Sequence, residues 1–420
     1  MPFLSRFKPW LKNDDYKKLL KNGLSLSLVQ LSNYVLPLLT IPYLARVLGP
    51  NFFGLVMMAQ ATMIYLTLVT DYGFNLSATK DIAMNQRNHA KVSALFSTVM
   101  TIKMGLLFVG GVILAGLVII IPTFRDHYIL FLSAYLIVIG NAFLPTFLFQ
   151  GLEKMSHIAL FNFVAKASFT GLIFWLIRSH TDYIWVHALW GISYIMVDIA
   201  AFYIIRTHLR ITFKWPQVNH IKSLLHVSFE YFLSRIAIAI YLNTNVIFVG
   251  VLLTPTHAGL YGGAEKLLFA ITTFYTPLIE TIYPYVSRTK NKSFVKKIIS
   301  AAVGLNTLGC ILAFLMAPWL IPLILGPAFS DAVPLFRWML IIAFLHLPTS
   351  MIGYPVLGAM GYVKTANRSV IIGAIIHGLL VIIFYQYITT PLAFIWIMAI
   401  SQFITFSIRC ITLIRIQKKL

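Results

Sequence analysis

Three basic side chains lie deep inside apolar stretches of this chain: Lys103, Lys166 and Arg235. They stand about ten, nine and twelve residues from the ends of their apolar runs, and a helix rises 1.5 Å per residue. That places all three near the middle of a bilayer core about 30 Å thick. Facing lipid, each would cost about 2.5–3.5 kcal/mol. They are therefore expected to face water or a partner. A cavity with a positive centre selects anions. A phosphate or diphosphate would offset such cations directly, and the Arg235 guanidinium can bind one through two parallel hydrogen bonds. Other arrangements stay open. Lys166 can snorkel to the cytoplasmic surface, and Lys103 can pair with Asp198. Arg235 can pair with Glu230, although a spacing of five along one helix is poor geometry for that.

Polar residues fall into stripes around these cations. Gln30, Asn33, Pro37 and Thr40 share one helical face by their spacing. Tyr231, Ser234 with Arg235, Tyr241 and Asn245 form a similar face further along. The reading adopted is that Gln30, Asn33, Thr40, Asn245 and Tyr241 contact sugar hydroxyls and rings in a central aqueous cavity. The alternative is ordinary hydrogen bonding between helices. Four acids, Asp71, Glu230, Glu265 and Glu280, are candidates for proton or sodium coupling. Glu265 and Lys266 are adjacent, so only one of them can face a cavity squarely. His346 and His377 lie at mid-depth and are expected to be hydrogen-bonded packing histidines.

The elements that must position these groups are membrane helices. Of 420 residues, 59% are hydrophobic and only 11% charged, with a mean hydropathy of +0.84. Soluble domains carry about 25% charged residues, so an ordinary cytosolic enzyme and a disordered chain are both excluded. Apolar runs predict twelve spans at 22–45, 53–77, 93–121, 128–151, 157–177, 184–205, 223–253, 260–287, 297–324, 333–357, 366–387 and 391–411. The expectation is an all-α polytopic membrane protein of two six-helix halves, related by a pseudo-two-fold axis along the membrane normal.

The net charge of +21 follows from topology rather than from nucleic-acid binding. Lys and Arg on odd-numbered polar segments number 25, with Arg409, Arg415, Lys418 and Lys419 counted in the last of them. Even-numbered loops hold only Arg46, Arg125 and Arg178. Basic residues collect on the cytoplasmic side, so both termini are expected there. The expected layout is a basic tail (1–21), an N-terminal lobe (22–205), a basic linker (206–222), a C-terminal lobe (223–411) and a second basic tail (412–420). No cleaved signal peptide is expected. Cys310 and Cys410 make no disulfide or metal motif, and no cofactor or catalytic motif is present.

The chain matches itself at an offset of 205 residues. VLGPNFFGLVMMAQ (47–60) lies over LLTPTHAGLYGGAE (252–265), pairing Pro50 with Pro255, Gly54 with Gly259, Leu55 with Leu260 and Ala59 with Ala264. Both copies fall in the short outer loop between the first two helices of a half. Six helices per half insert in the same orientation, which makes the repeat parallel, as in transporters whose site lies between halves at the midplane.

NYVLPLLTIPYLARVLGPNFFGLVMMAQ (33–60) and LVTDYGFNLSATKDIA (68–83) resemble the N-terminal half of bacterial O-antigen flippases of the Wzx type. These belong to the polysaccharide-transporter branch of the multidrug/oligosaccharidyl-lipid/polysaccharide (MOP) exporter superfamily. The resemblance implies translocation of undecaprenyl-diphosphate-linked oligosaccharide from the cytoplasmic to the periplasmic leaflet of the bacterial inner membrane. It also implies alternating access through a cationic cavity. Its motifs cover Arg46, Asp71 and Gly73, expected here as gate or packing positions. Implied partners are the lipid-linked oligosaccharide, membrane lipids, and a polymerase and chain-length regulator of the same pathway. Two alternatives stand beside this reading. A cation-coupled multidrug exporter of the same superfamily would be expected to carry an acid inside helix 1, where this chain has none. A membrane-embedded polysaccharide polymerase or ligase would need a long outer loop.

Overall fold

The computed structural model describes residues 14–275, 279, 282, 286, 288 and 292–417. Its side chains are described from Val35 onwards, except at 234, 237, 238, 241, 242, 274, 292–296 and 417. Every described span is helical. The first element, α1 (Asp14–Asp71), is 58 residues long and bends at Gly49, whose φ of 68° and ψ of 171° leave the helical region. Among the described residues, no atom lies within 4 Å of where a Cβ would stand at Gly49. Glycine is therefore suited to that position by backbone conformation, not by crowding. Pro50 then opens the second arm, where its missing N–H costs nothing.

Nine helices follow before the chain reaches residue 275. They are α2 (Phe74–Met84), α3 (His89–Ile120), α4 (Pro122–Asp126), α5 (Tyr128–Phe143), α6 (Thr146–Gly151), α7 (Met155–Leu176), α8 (Trp185–Thr207) and α9 (Val218–Leu252), with α10 (Pro255–Phe274) closing the series. Beyond it lie α11 (Lys292–Leu325), α12 (Ala332–Met351), α13 (Val363–Phe384) and α14 (Pro391–Gln417). Local chemistry sets several ends. Asn88 caps α3 by accepting from the Lys91 N–H at 3.1 Å, and Thr254 caps α10 by accepting from the His257 N–H at 3.2 Å. Pro145 separates α5 from α6 within the single span expected at 128–151.

Nine described helical stretches are long and apolar enough to cross a membrane, one of them the bent stretch Val35–Met84. Their outer faces are apolar, with Phe108, Ile120 and Leu305 all more than 70% exposed. Water would penalise that surface and lipid would not. The protein is an all-α polytopic membrane protein. The eighth expected span, 260–287, runs partly outside the described residues.

The chain forms two compact units. The first takes the chain up to Ile41, with Leu66–Arg178 and Ile184–Leu233; the second takes Pro42–Tyr65, Ser179–Tyr183 and Ser234–Leu420. Both α1 and α9 therefore pass from one unit to the other along their length. The core of the first unit is aromatic, with Phe74, Phe96, Phe147, Phe149 and Phe161 buried together. The start of α9 is fastened into it. Ser77 and Ser228 share a hydrogen bond at 2.7 Å, and Tyr72 stacks on Phe232 at 5.0 Å between ring centres. In the second unit, Leu347, Met351 and Val356 pack with Ile282 and Val286.

Candidate functional site

The mid-depth cation of the first unit is held inside the protein. Lys103, halfway along α3, is 2% exposed, and its Nζ lies 3.9 Å from Asp71 Oδ1. The ammonium also stands 5.5 Å above the Phe147 ring. Asp71 is the last residue of α1, just before the chain turns through Tyr72 (φ 43°) and Gly73 (φ 82°). A third group completes the cluster. Asp198 on α8 is buried, lies within electrostatic reach of Lys103, and has no hydrogen-bond partner for its carboxylate oxygens among the described residues.

This alters the sequence expectation for Lys103. The rise per residue gave its depth, but packing of α3 against the end of α1 turned it towards a carboxylate. It is a charge-matched buried group in this structure, not one presented to open space. The expected pairing with Asp198 is present as an electrostatic contact, while Asp71 makes the ion pair.

Lys166 on α7 and Arg235 on α9 are both half-buried. Lys166 belongs to the first unit and Arg235 to the second, just past the point where α9 changes unit.

The sugar-contact candidates divide. Thr40 is buried, and its hydroxyl donates back to the Leu36 carbonyl at 3.1 Å. Asn245, expected as a sugar ligand, is 1% exposed. Its Nδ2 donates to the Tyr261 hydroxyl at 3.0 Å, and its Oδ1 pairs with His377 Nε2 at 2.9 Å. A buried amide must find partners, and here they come from α10 and α13. The same bond shows His377 as the packing histidine expected. The side chains of Gln30, Asn33 and Tyr241 lie outside the described residues, as does Glu280.

The remaining coupling and gating candidates are scattered. Glu230 is exposed on α9, and Glu265 is half-buried on α10 beside Lys266. Arg46 donates from Nη2 to the Leu323 carbonyl, satisfying a backbone oxygen at the end of α11.

Sequence reasoning missed Arg409. Counted with the basic C-terminal tail, it is instead 5% exposed within α14. Its Nε donates to Ser369 Oγ at 2.8 Å, Nη1 to the Thr349 carbonyl at 2.6 Å and Nη2 to the Ala366 carbonyl at 3.2 Å. These partners surround a wide helical turn, Ile352–Gly358, that carries Pro355 and a non-helical Gly353 (ψ −111°). Pro348 and Pro355 each remove an N–H donor from α12 and its extension, and Arg409 braces the turn at the Thr349 carbonyl. Arginine has five donors in a fixed fork. The signal was legible: two prolines and a glycine in one apolar run, and an arginine stranded in another.

Comparison with known proteins gives the setting. The family described as polysaccharide biosynthesis protein matches residues 19–290. A protein of Escherichia coli (strain K12) named an O-antigen transporter is 29% identical over 375 residues, covering 88% of this chain and 90% of that one. One of the same name from Shigella dysenteriae is 26% identical, covering 85% and 90%. A Haloferax volcanii protein named a flippase of low-salt glycan biosynthesis is 22% identical, covering 77% and 68%. Among solved structures, an inward-facing multidrug resistance MATE family transporter of the MOP superfamily superposes with a TM-score of 0.69 at 14% identity, over 94% of this chain and 98% of that one. The lipid II flippase MurJ gives a TM-score of 0.54 at 13% identity, over 86% and 87%. The fold is thus that of the MOP exporters, and the family match spans well over half of the sequence: this chain belongs to the polysaccharide biosynthesis protein family.

Proposed function

We propose that the protein is a flippase that moves undecaprenyl-diphosphate-linked O-antigen units from the cytoplasmic to the periplasmic leaflet of a bacterial inner membrane. The observation that carries this is the near end-to-end match to two O-antigen transporters, on a fold shared with MOP exporters. A third relative is a glycan flippase. These relatives are transporters, and the coarse activity, translocation of a lipid-linked oligosaccharide by a multi-pass membrane protein that is not an enzyme, follows from them.

The finer mechanism is our reading. Arg235 holds the diphosphate with Lys166 in support, Gln30, Asn33 and Tyr241 contact sugars, and the isoprenoid tail stays in lipid. Lys103 acts through its ion pair with Asp71, as part of the coupling machinery. The twelve-span, six-plus-six arrangement with cytoplasmic termini belongs to the same reading. Outward movement of an anion is favoured by about 2.3 kcal/mol per charge per 100 mV. The drug-exporter alternative has less support, because residues 22–45 contain no acid to meet a cationic drug.

Deletion of the gene in its host tests the proposal. The expected result is loss of surface polysaccharide with lipid-linked units accumulating on the inner leaflet. Complete but unpolymerised units on the outer leaflet would assign the protein to polymerisation instead.

A further inference from the structure

The segment between α8 and α9 is a built strap. Beyond Thr207 the chain turns through Arg210, whose φ of 51° is left-handed, a conformation arginine rarely adopts. Two backbone bonds hold the turn, Leu209 N–H to Ile204 O at 3.1 Å and Ile211 N–H to Ile205 O at 3.2 Å. Leu209 and Ile211 enter the aromatic core of the first unit beside Val92 and Phe96. The strap then runs extended along α3. The Thr212 N–H donates to Ser93 Oγ at 3.4 Å and the Lys214 N–H to Ser97 Oγ at 3.0 Å. Ser93 and Ser97 are one helical turn apart, which matches the step between alternate residues of an extended chain.

Past Ile211 the side chains of residues 212–215 are all exposed, Phe213 and Trp215 among them. Trp215 is 81% exposed and meets Phe213 edge-on at 5.5 Å. Arg206, Arg210, Lys214 and Lys222 are all exposed around them, with Lys91 at the start of α3. Between Asp198 and Glu230 the sequence has no acid at all. Ser93 and Ser97 lie about 6 and 12 Å along a membrane-crossing helix that begins at His89, by its 1.5 Å rise. On the span expected at 93–121, that puts Ser93 at the boundary between headgroups and acyl chains and Ser97 about 6 Å beyond it.

We propose that this strap is a docking surface for anionic phospholipid. Trp215 and Phe213 insert at the level where amphipathic aromatic rings settle, and Arg210 and Lys214 bind the phosphates of acidic headgroups. The strap thereby gathers acidic lipid beside the membrane end of α3, independently of the transported cargo.

The test uses the full chain in nanodiscs of equal parts phosphatidylglycerol and phosphatidylcholine. One lipid at a time is brominated high on its acyl chains, and the Trp215 emission is taken as wild type minus Trp215→Phe. Brominated phosphatidylglycerol is expected to quench that emission at least twofold more than brominated phosphatidylcholine. Arg210→Asn with Lys214→Gln, which keeps all eight tryptophans, is expected to abolish the difference. Asparagine is chosen because it tolerates the left-handed turn. Equal quenching by the two lipids, quenching by neither, or a preference that survives the double substitution each overturns the proposal.

Discussion

Gly54 and Gly259 make reciprocal contacts. A Cβ at Gly54 would stand 1.8 Å from the Pro255 carbonyl oxygen, and a Cβ at Gly259 would stand 1.8 Å from the Pro50 carbonyl oxygen. Residues 205 apart in sequence thus exchange the same contact, each glycine lying against the proline that opens the other helix. The exchange falls on the pair of segments that the internal repeat singles out.

That crossing has no room for a side chain. Gly54→Ala or Gly259→Ala is expected to force the second arm of α1 and α10 apart, at about 1–3 kcal/mol for the overpacking. Melting of the detergent-solubilised protein checks this. Gly105→Ala, where no atom of the described residues lies within 4 Å, serves as the control and is expected to melt like wild type.

The Asp71–Lys103 pair predicts a specific pattern of stability. Either Asp71→Asn or Lys103→Met alone leaves one buried ion without its partner, at a cost of about 3–5 kcal/mol. The double variant is expected to recover part of that loss, with Asp198, the third member of the cluster, keeping the recovery incomplete. Strictly additive losses in a double-mutant cycle would show that the two groups do not act as a pair.

Arg409→Ala is expected to destabilise the protein by about 2–5 kcal/mol, because three hydrogen-bond acceptors around the wide turn lose a charged donor. Arg409→Lys keeps the charge but not the fork, so it is expected to lie between alanine and wild type. A tail residue on a cytoplasmic surface would tolerate both, and unchanged melting in both variants would remove the anchor assignment.

Arg235→Ala is expected to abolish restoration of surface polysaccharide in a deletion strain while the protein still inserts and melts normally. Lys166→Ala is expected to reduce restoration several-fold. Asn245→Ser, in contrast, is expected to lower melting without changing which polysaccharide is exported, because Asn245 is bonded inside the second unit. Full restoration by both cation variants would dismiss the diphosphate assignment and leave the fold untouched.

Much of this was legible along the chain. Apolar runs, the sidedness of Lys and Arg, and the segments 33–60 and 68–83 determined the helical membrane class and the family, because hydropathy and charge bias are summed over many residues and survive errors at any one. Position along the helix was legible too: Lys103 stands near the middle of α3. Direction was not. Depth grows linearly with residue number, but the way a side chain points depends on which helix lies against it, and that neighbour is distant in sequence. Only the tertiary structure turned Lys103 onto Asp71, closed Asn245 between Tyr261 and His377, and drew Arg409 out of an apparent tail onto the Thr349 and Ala366 carbonyls.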